Sequence, residues 1–385
     1  MTANRNHSDS LLPRMGDSAA TPLAFVHVPK SAGASFWTSV RAIVALANAS
    51  SRVRIFFGDD DNPTTNPGCA SGRHGATHCS AAEIDTCLLR GLATQLVHPN
   101  PARPYTISNR PFLLAEGVLP RFVVVLREPV ARLRSEFYWW AVSERPYNHA
   151  SSFYNCSSSP IGDWPLELCE AFAARPAAPP RSPGFANATA AAFVRWLRHP
   201  ANRAHNRQTK QLTIFEGDDA VLPPKARHEL ACHSFNGSSD FWARHYPAAA
   251  DAAGVEAALN ADGALLERCL RGLRTRFAVV GIFEDLAASL RLVVHAVAKL
   301  AGRASARALL LQDEVQRQLK LASSNGVSAD GLVHASNMPA TPLPDELVAE
   351  VRARNRLDVA LHAWGVRELE RHQRAAAARD AIFED

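Results

Sequence analysis

Residues 25–37 read FVHVPKSAGASFW. An apolar run ends in Pro29, a lysine and five small residues follow, and an apolar stretch then resumes. This order predicts a buried strand over 23–28 (LAFVHV), a tight turn, and a helix over 34–47. Two further runs share the first one's character, RFVVVL at 121–126 and FAVVGI at 277–282. Pro129 suits the first position of a helix after the second run. Continuous apolar strands alternating with helices predict an α/β fold, a central parallel sheet flanked by helices. Ligands of such sheets bind beyond the carboxyl ends of the strands, where the Lys30 turn and Arg127 fall.

The remaining segments fill in around these. Residues 1–20 read as a disordered leader, and 21–370 as one domain with an irregular excursion at about 146–190. Residues 371–385 read as a C-terminal tail. Residues 58–79 form a loop, and helices are expected over 81–92, 191–212, 255–275, 284–300 and 344–365.

The 385 residues are 47% hydrophobic and 21% charged, with a net charge of +5. Of 42 basic residues only Lys30, Lys210, Lys225, Lys299 and Lys320 are lysines. Arginine suits bidentate binding of phosphate, sulfate and carboxylate, although alanine-rich composition gives the same bias. No basic stripe with interleaved aromatics appears, so nucleic acid is not an expected partner. No apolar run is long enough to span a bilayer, and residues 1–20 lack the apolar core of a signal peptide. Glycosylation acceptors nevertheless stand at Asn6, Asn48, Asn155, Asn187 and Asn236. Seven cysteines permit disulfides with one left over. Either an anchor is missing from this chain or the acceptors are accidental.

Two segments suggest anion chemistry. Pro29–Ser35 would aim successive backbone N–H groups into a concavity at a helix N-terminus. Lys30 adds a charge, and Ser31 and Ser35 add hydroxyls. The turn lacks the Gly-x-x-x-x-Gly-Lys pattern of nucleotide triphosphatases, and an ordinary strand-to-helix turn explains it equally. In VVVLREPVARLRSEFYWW (123–140), Arg127 leaves the strand and Ser135 lies two turns into the helix. An arginine and a hydroxyl so placed can grip one phosphate. Val130, Leu133, Phe137 and Trp140 form the apolar stripe. Arg132 and Arg134 are expected to be solvated or salt-bridged.

Together the two motifs resemble the sulfotransferases that use 3′-phosphoadenosine 5′-phosphosulfate (PAPS). The resemblance narrows toward the Golgi glycan O-sulfotransferases, especially the heparan sulfate 6-O type, with the uronyl 2-O type nearby. NRQTKQL (206–212), RFAVVGIFEDLAASLRLV (276–293) and RNRLDVALHAW (354–364) are similar to motifs of that branch. Coverage is patchy from residue 23 to about 370. Ala32 and Ala34 depart from the threonine or glycine often found there, and 146–190 matches poorly.

The resemblance implies a P-loop nucleotide-kinase-like fold and sulfuryl transfer from PAPS to a sugar hydroxyl of a glycan. A small alcohol or phenol, a protein tyrosine, or non-catalytic anion or glycan binding are the alternatives. It implies that Lys30, Ser31, Ala32, Gly33, Ala34 and Ser35 surround the phosphosulfate, with Lys30 stabilising the leaving oxygen. Arg127 and Ser135 hold the 3′-phosphate, and Asn206, Arg207 and Gln208 lie near cofactor or acceptor. No metal is implied. The branch carries a histidine base followed at five and nine residues by Glu and Cys; His78, Glu83 and Cys87 reproduce that spacing. His74 is the second choice. Cys69, His74, His78, Cys79 and Cys87 could also hold zinc, without a standard spacing. His27 reads as a core histidine. The Golgi lumen or membrane is the implied compartment. Arg195, Arg198, His199, Arg203, His205, Arg207 and Lys210 either steer a polyanion or form a solvated helix face. Cys156 and Cys169 are the suggested disulfide.

Overall fold

The strong apolar runs become strands at the expected places. In the computed structural model, β1 spans Leu23–Val26, β2 Ile55–Phe56, β3 Arg121–Leu126 and β4 Phe277–Ile282. The structure describes residues 23–26, 28, 31, 33–47, 55–56, 81, 121–142, 183–199, 202, 204–214, 246–249, 251–301, 306–323 and 342–382. The four strands form one parallel sheet in the order β2-β1-β3-β4. Val26 lies beside Val124, and Leu126 beside Ile282. The carboxyl ends of β1, β3 and β4 therefore share one edge.

Side chains alternate between faces along a strand. All six residues of β4 and five of six in β3 are buried, so both faces are covered. The cover comes from helices. α1 spans Gly33–Leu46, α2 Pro129–Val142, α3 Pro183–Arg198 and α4 Arg207–Leu212. α5 spans Ala252–Ala261, α6 Gly263–Arg276, α7 Leu286–Leu300 and α8 Arg307–Leu310. α9 spans Asp313–Ser323, α10 Asp345–Arg354 and α11 Arg356–Ile382. α1, α7 and α9 pack together, and the Ser39 hydroxyl of α1 donates to Gln318 of α9 at 2.6 Å. α11 lies against β4, α4 and α6. Its Gly365 permits close approach: a Cβ there would meet Leu126 Cδ1 at 2.7 Å and Ile282 Cδ1 at 3.1 Å. The end of the sheet is thereby pressed against the middle of α11.

A second apolar cluster joins Val130, Leu133 and Phe137 of α2 to Phe193, Trp196 and Leu197 of α3 and Val351 of α10. The stripe expected on α2 is core at its first three positions; the side chains of Trp139 and Trp140 lie outside the described residues.

Some boundaries differ from expectation. The helix expected over 255–275 is two helices, because the Asp262 carboxylate accepts from Leu265 N–H and starts a new one. The helix expected over 344–365 breaks at Asn355, and its second part continues to Ile382 through the expected tail. The basic stretch 191–212 holds a helix that begins earlier, at Pro183, and the short α4. α9 was not foreseen. Of 81–92 only Ala81 is described, and it is helical. The leader, the loop at 58–79 and the excursion up to residue 182 lie outside the described residues. Among the described residues no helix is long and apolar enough to cross a membrane.

Candidate functional site

The sheet edge collects three chain segments that leave parallel strands. The first is the β1–α1 turn. Ser31 N–H donates to Val28 O at 3.2 Å, closing a turn just before α1 opens at Gly33. Ser31 is 1% exposed, and its hydroxyl has no hydrogen-bond partner. Buried hydroxyls are normally satisfied, so a lone one beside a helix N-terminus leaves hydrogen-bonding capacity there that a ligand could use. Lys30 and Ala32 lie outside the described residues, as do the side chains of Ala34 and Ser35. Gly33 and Ser35 belong to the first turn of α1.

The second segment is Arg127–Glu128, between β3 and α2. Gln208 of α4 holds the Arg127 backbone at both polar groups: Arg127 N–H donates to Gln208 Oε1 at 2.8 Å, and Gln208 Nε2 donates to Arg127 O at 2.8 Å. The guanidinium lies 4.1 Å above the ring of Phe283. Burial lowers its pKa to about 10, with Glu284 acting in the opposite direction. It remains a cation at neutral pH, in surroundings that strengthen its attraction for an anion. Ser135 is buried on α2, two turns on.

The third segment follows β4. Glu284 accepts from Glu128 N–H at 2.9 Å and lies 3.1 Å from His362 Nε2 of α11. Burial tends to raise the Glu284 pKa, but hydrogen bonds from His362 and Glu128 N–H outweigh it and hold the carboxyl below its usual value. Glu128 Oε2 accepts from Ala131 N–H and caps α2.

Asn206, Arg207 and Gln208 are not on an open acceptor surface. All three are buried. Asn206 sits in the left-handed region at φ 48°, which asparagine tolerates better than most residues. Its Oδ1 accepts from Leu357 and Asp358 N–H at 3.1 and 3.3 Å, capping α11. Asp358 of α11 returns the favour to α4, accepting from Gln208 N–H at 3.1 Å and Thr209 N–H at 2.8 Å. Thr209 Oγ1 also donates to it at 2.8 Å. Two helix starts thus cap one another, each through the other's side chain. Arg207 pairs with Glu136 of α2 at 2.9 Å, and Arg132 bonds the same carboxylate and Ala204 O.

The basic cluster divides accordingly. Lys210 is buried and pairs with Glu256 at 3.0 Å. His205 is buried between Leu197 O and Asn355, and desolvation lowers its pKa to about 4. Arg195 and Arg198 are exposed, Arg198 on Glu350. The residues from His205 to Lys210 are therefore interior, and among the described residues of the cluster the solvated arginines stand at the end of α3. Arg132, expected to be solvated or salt-bridged, is salt-bridged and fully buried.

His78, His74, Glu83, His27 and the cysteines of the zinc alternative lie outside the described residues, as do Cys156 and Cys169. Cys269 is a free, buried thiol on α6. Sequence reasoning missed Asp358, Asn355, Glu284 and His362 as partners of this edge. The available signal was Asn-Arg at both 206–207 and 355–356, a helix-start pattern in two segments already singled out.

The class the structure defines is an α/β protein with a parallel sheet whose strand ends gather an unsatisfied hydroxyl and a desolvated arginine. Compared with family models, curated proteins and solved structures, the chain matches none.

Proposed function

We propose that this chain is a PAPS-dependent sulfotransferase acting on a sugar hydroxyl of a glycan, built on the nucleotide-kinase-like sulfotransferase fold and working in the Golgi lumen. The observation that carries the proposal is Ser31: a buried hydroxyl without a partner, in the turn from β1 to α1, on the same sheet edge as the desolvated Arg127. Two anion-seeking groups on adjacent parallel strands suit a ligand with two separated anionic groups. A 5′-phosphosulfate and a 3′-phosphate on one nucleoside make such a ligand.

PAPS would supply an activated sulfuryl group, whose bridging S–O bond breaks as the acceptor oxygen bonds to sulfur. Ser31 and the N–H groups opening α1 would hold the phosphosulfate. Lys30 would neutralise the charge growing on the bridging oxygen. Arg127, with Ser135, would hold the 3′-phosphate. His78 would take the proton from the acceptor hydroxyl, a task histidine performs well at neutral pH. Asn206, Arg207 and Gln208, being interior, support the site from behind and leave acceptor contact to other groups. Arg195, exposed near the end of α3, would meet a polyanionic glycan, while Arg198 beside it is held on Glu350.

Calorimetric titration with adenosine 3′,5′-bisphosphate (PAP), the desulfated product, tests the reading, with ATP as control. Binding of PAP and not of ATP is the expected result. A folded sample that binds neither would refute it.

A further inference from the structure

Gln208 stands in an unusual relation to Arg127. Its carboxamide makes two hydrogen bonds of 2.8 Å to the two backbone polar groups of that one residue. A backbone N–H can only donate and a carbonyl can only accept, so the amide's orientation is fixed by its partners. The pair imitates a strand neighbour at the point where β3 leaves its ladder with β4. Gln208 is itself held rigidly: it is fully buried, its own N–H reaches Asp358, and Asp358 binds Thr209 twice. Lengthwise, this makes a continuous line from α11 through α4 to the residue that carries the guanidinium.

We infer that Gln208 is a positioning residue for the 3′-phosphate site: its backbone clamp fixes the direction in which Arg127 leaves the sheet. The inference rests on the sulfotransferase reading for the identity of the phosphate, and on the two Gln208 hydrogen bonds for the clamp. An arginine on a mobile backbone must also order that backbone when it grips a phosphate; one whose backbone is already set does not lose that freedom on binding. Residues so used lie behind the ligand, which is where burial puts Gln208. The side chain touches neither nucleotide nor acceptor.

Three readouts on the full chain separate the possibilities. Gln208→Met keeps length and removes both hydrogen bonds. Amide hydrogen exchange at Arg127 should then accelerate. Affinity for PAP should fall about tenfold, the scale of one or two lost hydrogen bonds, while affinity for adenosine 5′-phosphate is unchanged. Gln208→Glu adds a signature that simple damage to the fold would not give. Its carboxylate faces Arg127 O at neutral pH and cannot donate, but the protonated acid can. The ratio of variant to wild-type PAP affinity should therefore recover as pH falls. Unchanged exchange at Arg127 in Gln208→Met overturns the clamp. Faster exchange with an unchanged preference for PAP over adenosine 5′-phosphate overturns the positioning role. A wild-type protein with no such preference overturns the sulfotransferase reading instead.

Discussion

Replacing Asp358 should unfasten the two helices that brace the sheet edge, and the size of the effect follows from its contacts. The carboxylate is fully buried and accepts three hydrogen bonds, from Gln208 N–H, Thr209 N–H and Thr209 Oγ1. Arg207 and Lys210 are near enough for its charge to act on both. Asp358→Ala strands all three donors and removes a negative charge near two buried cations that keep their own partners, Glu136 and Glu256, which should lower stability by about 3–5 kcal/mol. Asp358→Asn keeps one acceptor for Thr209 but sets an amide NH2 against Gln208 N–H, at about 2–4 kcal/mol. Thr209→Val removes the hydroxyl bond alone, at about 1 kcal/mol. Urea unfolding followed by circular dichroism should therefore order the proteins wild type, Thr209→Val, Asp358→Asn, Asp358→Ala. Thr209→Val should also matter less in the Asp358→Ala background, because the hydroxyl has already lost its partner. A loss below about 1 kcal/mol for Asp358→Ala would refute the reasoning, since three buried donors cannot be abandoned so cheaply.

Gly365→Ala should cost about 1–3 kcal/mol, because the added methyl overlaps Leu126 and crowds Ile282; urea midpoints equal to wild type would contradict the close packing. His205 has a folded pKa of about 4 against an ordinary 6.5. Below pH 6.5 the unfolded chain takes a proton that the folded chain refuses, so the stability tied to neutral His205 is whole above 6.5 and lost as pH falls to about 4. That difference amounts to about 3 kcal/mol, and His205→Gln should flatten the stability profile across this window and not above it. If the sulfotransferase proposal holds, Arg127→Ala weakens PAP binding, whereas Lys30→Ala lowers turnover far more than PAP affinity. His78→Ala should abolish transfer with PAP still bound; normal activity there, with activity lost in His74→Ala, would move the base to His74.

The strands were legible because they are buried on both faces. RFVVVL and FAVVGI have no polar position to alternate with, and both became strands at the residues expected. Helix boundaries were less legible where a single polar side chain decides them. The Asp262 carboxylate starts α6, and the Asn206 amide, far away in sequence, caps the start of α11 after the break at Asn355; nothing in apolar periodicity distinguishes these residues from solvated ones. The interior polar network was the least legible part. Arg132, Glu136, Arg207 and Lys210 are residue types that normally stay at the surface, and the burial of Lys210 and Arg207 depends on partners 46 or more positions away. A cluster of seven basic residues therefore read as one surface, although its last three members, His205, Arg207 and Lys210, belong to the core.

That misplacement changes what the NRQT segment means. Residues near a ligand in sequence motifs are easily taken for residues that touch it. Here the four polar side chains of 206–209 bond to α11, to α2 and to the Arg127 backbone, and each bond is replaceable only by a group of the same shape and polarity. Such a segment is as constrained as a binding surface without meeting a ligand. The two roles differ in what a conservative change does. At a contact residue, Gln→Glu alters affinity according to the ligand's charge. At Gln208 it alters affinity according to whether the introduced acid can still donate to Arg127 O, and only the second depends on pH in the direction of recovery toward acid.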